Sequence, residues 1–475
     1  MTGNPGTSLR AALDTVPAAE RAAHVDCVSP DDIAAHYATH YAGIPANSAA
    51  RDEKVVTYRA EGSAMPVIIG AYGSERRVRS WLPGLPARTS ATAVAGLLDA
   101  ARPTHRVPTA PCQRLVSSDV DIWTLPALRA TPRDAGRYLT LGVVYARDPR
   151  TGATALSTHR MLLTGRDRLA IWMLPSRRLR ALHEAAVRAG ERLAVSVNIG
   201  APPAVVIASA LTTDLLPVDK LAVAGALAGE AIALADAVSQ DTEVLAESEI
   251  VLEGHLDEAL TAESLNGPPD VSMPEFLGYD GDARDELPVI TVTALTTRRD
   301  PRYQAVIGPG REQSIILGLA GALSVATGSD PELDVDLDLV HDVHLSPAGG
   351  GMLTLFLAVR KRSGRDDERL APLARRIFDR HPFVKLVVCA DDDVDVRCAE
   401  DVWWAVTTRG NVGAATTFPG YRPLAMDPSQ TAAWAVAKGL PAGESERTLI
   451  DATVPYALRD SVRRSFSPRA EGALR

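Results

Sequence analysis

Two carboxylates and one arginine carry the chemistry most open to inference in this chain. Asp270 and Glu275 stand in the segment DVSMPEFLGYDG, 270–281, which ends in an aromatic-glycine turn. Upstream, Arg160 stands in ALSTHRM, 155–161. A guanidinium presents a planar fork of donors that suits a carboxylate. One acid can keep that fork ordered, while a second, its pKa raised by burial, carries a proton. Such a set can hold an organic acid and return one proton to it, which is what loss of CO2 requires. A plainer reading of the same acids has Asp270 capping a turn and Glu275 as a solvated loop residue.

These residues need elements to position them. Short β segments surround Arg160: YLTLGVVYARDP (138–149), TGATALSTHRMLLTG (151–165) and DRLAIWMLP (167–175), the first two joined by an Asp-Pro-Arg-Thr-Gly hairpin signal. The helix SRRLRALHEAAVRAG, the strand RLAVSVNIG and the helix KLAVAGALAGEAIALADA follow. The strands SEIVLEGHL (248–256) and LPVITVTALTTR (287–298) then flank the two acids. This interleaving predicts a closed, barrel-type sheet with helical insertions. Before it, AALDTVPAAERAAH, DDIAAHYATHYAG and TAVAGLLDAAR read as helices, and VVTYRA and MPVIIGAYG as strands. The proline-rich ARPTHRVPTAPCQ (101–113) reads as a crossing or boundary. After a connecting helix, EQSIILGLAGALSVATG, strands and helices alternate as in a separate α/β domain.

Composition narrows the class. At 475 residues the chain exceeds one hydrophobic core. Hydrophobic and charged fractions of 46% and 23% are those of a soluble globular protein, and a net charge of −9 gives no reason to expect nucleic acid. Lysine is confined to Lys54, Lys220, Lys361, Lys385 and Lys438, so a lysine inside a motif is informative. Cys27, Cys112, Cys389 and Cys398 form no CxxC pair, which argues against a disulfide framework or zinc site and fits a reducing cytoplasm. MTGNPGTSLRAALD has no apolar core of a leader, and the run 315–326 is too short and glycine-broken to span a membrane.

Several separated motifs agree on a family. STHRM with Arg160, IGAPPAVV, SEIVLEG, the Asp270/Glu275 pair before Gly278-Tyr279, and TTRRDPRYQ are joined downstream by VVCADDDVDVRCAEDVWWAVTTR, MDPS and IDATVP. From about Leu139 to Pro455 the chain resembles the UbiD-type decarboxylases, which use prenylated FMN. The resemblance implies that Arg160 positions a substrate carboxylate, that Asp270 orders Arg160, and that Glu275 returns the proton after CO2 leaves, with the flavin as electron sink. Asp270 departs from the family, which usually has Glu there.

A larger departure concerns the cofactor. In that family a divalent metal, held by an Asn, a His and a Glu with a monovalent cation nearby, carries the flavin phosphate. Here the corresponding positions are Ala155, the Pro175-Ser176-Arg177-Arg178 junction, and Lys220. The exchange puts the family's manganese and potassium in question. It suggests phosphate contact by Arg177 or Arg178 and Lys220, with no metal. The alternative is that SRRLR is an exposed basic turn and Lys220 a surface residue. Ser209 resembles a phosphate-side serine and would equally serve as a helix N-cap. His159 could touch substrate or flavin, although strand alternation turns it away from Arg160. The run 391–395 has the look of a metal site but is read as a strand end serving contacts between domains or subunits.

The expected fold is α/β (α+β): an N-terminal α/β segment (1–113), a central split-barrel flavin domain (114–312), a connecting helix (313–330) and a C-terminal α/β oligomerisation domain (331–475). The expected activity is reversible, non-oxidative decarboxylation of an α,β-unsaturated or (hetero)aromatic acid by a cytoplasmic homodimer or higher homo-oligomer, with no membrane or nucleic-acid partner. Two other readings stand beside it: a flavin-dependent reductase on a similar barrel, which would need a nicotinamide fingerprint not seen here, and a cofactor-poor, non-catalytic relative.

Overall fold

The computed structural model describes residues 3–41, 53–175, 177–212, 216–264, 271–274, 277–327, 337–424, 426–439 and 443–465. Its centre is a closed antiparallel barrel. Going round, Ile250–Thr261 pairs with Leu193–Ile199, then Tyr138–Arg147, Thr154–Leu163, Arg168–Ile171 and Leu287–Thr297, which pairs back onto Ile250–Thr261. Leu115–Ser117 adds to the outer edge of Leu287–Thr297. Closure removes the exposed edges that a sheet of this size would otherwise leave. Close strand contact is helped by Gly254, where a Cβ would lie 2.2 Å from Thr291 O. Beside it Glu253 accepts from the amides of Val238 and Ser239, a structural use of that acid.

The chain divides into two compact units. The first comprises 1–85, 97–213 and 218–316. Besides the barrel it holds a sheet in the order Arg21–Val28, Val55–Ala60, Pro66–Ile69, Tyr303–Gln304. Its main core runs from Ile33 and Tyr58 through Met161, Val197 and Leu252 to Ile307. Residues on both sides of the proline-rich stretch lie in this unit, and His105–Arg106 is paired with Ala233–Asp236. The second unit, 86–96, 214–217 and 317–475, holds a sheet in the order Val340–Leu345, Thr354–Val359, Leu386–Asp391, Ser445–Ala452, Thr416–Tyr421, with parallel pairing through its middle. The division falls inside the helix Arg311–Val325, which was expected as a connector.

Two expected helices are shorter than the pattern suggests. AALDTVPAAERAAH is helical only over Leu9–Thr15; Pro17 ends it, and Arg21–Val28 is a strand. KLAVAGALAGEAIALADA is helical over Lys220–Ala228 and stops at Gly229 in the left-handed region (φ +71°), after which Ala233–Asp236 is a strand.

Candidate active site

Arg160 lies on the barrel strand Thr154–Leu163. Side chains alternate there: Ala155, Met161 and Leu163 join the main core, whereas Leu162 joins a smaller cluster with Tyr138, Ala170, Met273 and Leu287. Arg160 shares the parity of Leu162 and is only 9% exposed. Its Nη2 lies 3.2 Å from Oε1 of Glu263, a carboxylate 1% exposed. Its Nη1 donates to Met273 O at 2.9 Å and Ser272 Oγ at 3.2 Å. Tyr138 and Trp172 flank the guanidinium, with ring centroids 5.9 and 5.4 Å away.

Glu263 is the hub of this group. Oε1 also accepts from the Tyr138 hydroxyl at 3.1 Å, and Oε2 lies 3.9 Å from Nη1 of Arg284. Arg284 in turn stacks 3.8 Å from the centroid of Trp172, and its carbonyl accepts from the Glu263 amide. Burial, followed by the charge of Glu263, holds the Tyr138 phenol well above its ordinary pKa, so it stays a donor. Among the described residues, Arg160 and Arg284 both face the carboxylate of Glu263, at 3.2 and 3.9 Å.

Of the residues expected from sequence, Asp270 and Glu275 lie outside the described residues. The residues between them do reach the site, since Ser272 and Met273 O are the hydrogen-bond partners of Arg160. Glu263 was missed by sequence reasoning. The available signal was modest: it is the first acid after the barrel strand Ile250–Thr261 ends.

A second cluster gathers about the same strand. His159 is buried and points to other partners than Arg160, as alternation requires. Its Nδ1 lies 2.9 Å from Trp172 O and its Nε2 2.7 Å from Ser157 Oγ. A carbonyl only accepts, so Nδ1 carries the proton and Nε2 accepts from the serine. Burial, and then the charges of Arg177 and Lys220, push His159 down to about 4, which keeps it neutral. Lys220 opens its helix and is 5% exposed, not the surface residue that the alternative reading required. Its Nζ donates to Leu156 O at 3.1 Å and Ser209 O at 2.9 Å. Ser209 ends the helix Pro203–Ser209, so it is not an N-cap; its Oγ lies 2.7 Å from Thr158 Oγ1. Arg177 occupies the N-cap position of Arg178–Arg188, is partly buried, and is depressed in pKa by that burial alone. Arg178 is exposed.

The acidic run is committed to arginines. Asp391 and Asp393 both accept from Arg409, at 2.8 Å and at 2.7 and 2.6 Å, and Asp392 accepts from Arg360 at 2.5 Å. These residues wall a cavity of about 420 Å³ within the second unit, which the chemistry above does not use.

Comparison with known proteins agrees with this geometry. The family model for the 3-octaprenyl-4-hydroxybenzoate carboxy-lyase Rift-related domain (UbiD) matches residues 105–312, and that for the corresponding C-terminal domain matches 329–452. Gallate decarboxylase of Lactiplantibacillus plantarum is 33% identical over 70% of this chain and 69% of its own length. Anhydromevalonate phosphate decarboxylase of Methanothermobacter thermautotrophicus is 31% identical over 73% of this chain and 76% of its own. Among solved structures, apo 3,4-dihydroxybenzoic acid decarboxylase of Klebsiella pneumoniae superposes with a TM-score of 0.87 at 29% identity, covering 98% of both chains. HmfF, a UbiD-class enzyme of Pelotomaculum thermopropionicum in complex with FMN, gives 0.82 at 28% identity over 97% of both.

Proposed function

The chain belongs to the UbiD family and is a carboxy-lyase, and from that premise we propose that it releases CO2 from an aromatic acid, without net oxidation and reversibly, using prenylated FMN. The observation that carries the proposal is the buried contact between Arg160 and Glu263. A hydroxylated benzoate is favoured over an aliphatic acid because gallate and 3,4-dihydroxybenzoate are the acids of the two aromatic relatives.

Each side chain has a task. Arg160 receives the substrate carboxylate on its donor fork. Glu263, Ser272 and Met273 O hold that fork in place before the substrate arrives, so little ordering remains to be done on binding. Trp172 and Tyr138 form a low-dielectric wall that strengthens the ion pair and excludes water. Arg284 adds the second positive charge. We add Glu263 to the ordering of Arg160, keep Asp270 in that same ordering role, and keep Glu275 as the donor that returns a proton to the carbon losing CO2. Prenylated FMN supplies the electron sink that no side chain can offer.

The test is to purify the protein from cells that also make prenylated FMN and record its visible spectrum and CO2 release from gallate and 3,4-dihydroxybenzoate. Bound flavin and turnover of at least one acid are expected. A colourless protein would sink the flavin reading. Glu275→Gln should abolish CO2 release while leaving the flavin spectrum intact, and undiminished release would remove Glu275 from the mechanism.

A further inference from the structure

We infer that Lys220 and Arg177 bind the flavin phosphate directly and replace the divalent metal used for this purpose elsewhere in the family. The inference rests on the flavin reading above and concerns only how that cofactor is anchored.

Three observations bear on these residues. Lys220 is buried with its ammonium between the carbonyls of Leu156 and Ser209, on the strand that carries Arg160 and at the end of the helix Pro203–Ser209. Arg177 stands partly buried and forms no ion pair among the described residues. A guanidinium withdrawn from water without an anion is costly, and a phosphate would repay that cost. His159, whose ring nitrogens are taken up by Trp172 O and Ser157 Oγ, is depressed in pKa by burial and then by the charges of Arg177 and Lys220.

The same residues do not suit a divalent cation. Among the described residues no group of three or more His, Cys, Asp or Glu could hold a metal ion. At the family's three ligand positions stand Ala155, which has no donor, and Arg177 and Lys220, which would repel a metal. The neighbouring acid Asp219 is exposed, and its carboxylate is occupied by the Leu221 amide at 2.8 Å and the Thr154 hydroxyl at 2.7 Å. Lysine and arginine supply the charge that manganese would otherwise bring.

The experiment compares FMN with riboflavin, which lacks the phosphate, by fluorescence titration of the full chain with excess chelator or with added manganese. Elemental analysis of the FMN-loaded protein runs alongside. Expected are FMN binding that withstands the chelator, a marked preference over riboflavin, and substoichiometric manganese. Arg177→Gln should weaken FMN on the order of tenfold and leave riboflavin unchanged, about one charged hydrogen bond's worth. Lys220→Met should do the same if it folds; the partly exposed Arg177 keeps the test decisive if it does not. FMN binding only with manganese, or stoichiometric manganese in the loaded protein, would overturn this inference and leave the decarboxylase reading standing. Failure to bind FMN under either condition would overturn both.

Discussion

A buried guanidinium serves an anionic substrate only when something other than the substrate fixes its plane. Arg160 meets that condition through Glu263, Ser272 and the carbonyl of Met273, and through two aromatic rings that restrict its movement. Glu263 therefore has a dual cost if lost: one of the contacts that fix the fork goes, and a buried charge loses a close carboxylate. Breaking one side of such a pair costs about 3–5 kcal/mol. If even part of that falls on the transition state, Glu263→Gln lowers kcat/KM on the order of a hundredfold, at about 1.4 kcal/mol per tenfold. The amide still accepts from Tyr138, so FMN affinity should be unchanged. A loss of activity that tracks a loss of flavin would mean that Glu263 supports the fold and not the substrate site. Arg160→Lys keeps the charge and discards the planar fork, so it should raise KM for the acid and lower kcat together. Full activity in that variant would show that charge alone suffices. Glu263 escaped sequence reasoning because its partner lies more than a hundred positions away, where no local periodicity links them. Arg160 was legible because a lone arginine stood on an alternating strand.

The elements that hold the site were largely legible as well. The hairpin over Tyr138–Arg147 and Thr154–Leu163, and the long strands Ile250–Thr261 and Leu287–Thr297, appear where expected, buried along most of their length. The misreadings sit at helix ends, where Pro17 and Gly229 stop a pattern that alanines would have continued. Burial of polar groups outside the family motifs was not legible, and Glu312 is the clearest case. It lies in the first turn of Arg311–Val325, fully enclosed, accepting from the amides of Gly70 at 2.9 Å and Tyr72 at 3.0 Å. The turn it clamps is tight: Gly70 has φ +84°, and a Cβ there would lie 2.1 Å from Lys54 O. Burial pushes Glu312 up to about 7 despite those amides and nearby Arg77. A folded pKa above the unfolded value of 4.5 means that the folded state binds the proton more tightly. Its stabilising contribution is complete below about 4.5 and disappears as pH rises through about 7. Wild type should accordingly lose melting temperature relative to Glu312→Gln across that window, with a level difference above it. A difference that does not change with pH would show that Glu312 is ionised throughout.

On the scale of the whole molecule, the expectation of a homo-oligomer has a physical handle in the second unit. Trp403 on the helix Ala399–Thr408 is 50% exposed, and Trp434 and Val436 on Ala432–Lys438 are 43% and 74% exposed. Large apolar side chains left to water in this number favour association, whereas a net charge of −9 opposes indiscriminate contact between chains. Light scattering behind size exclusion should therefore give a mass at least twice the 50.4 kDa of one chain. Because the proposed contact is apolar, raising the salt should leave the assembly intact or strengthen it; a charge-driven contact would weaken as screening increases. Val436→Asp would place a charge in that contact and should shift the mass towards one chain. Val436 lies in the second unit and is not among the residues proposed to hold the flavin phosphate, so FMN affinity in the same sample should stay at the wild-type value. A single-chain mass for wild type would end the expectation of a homo-oligomer. An oligomer indifferent to Val436→Asp would keep the assembly and move its interface away from the helix Ala432–Lys438.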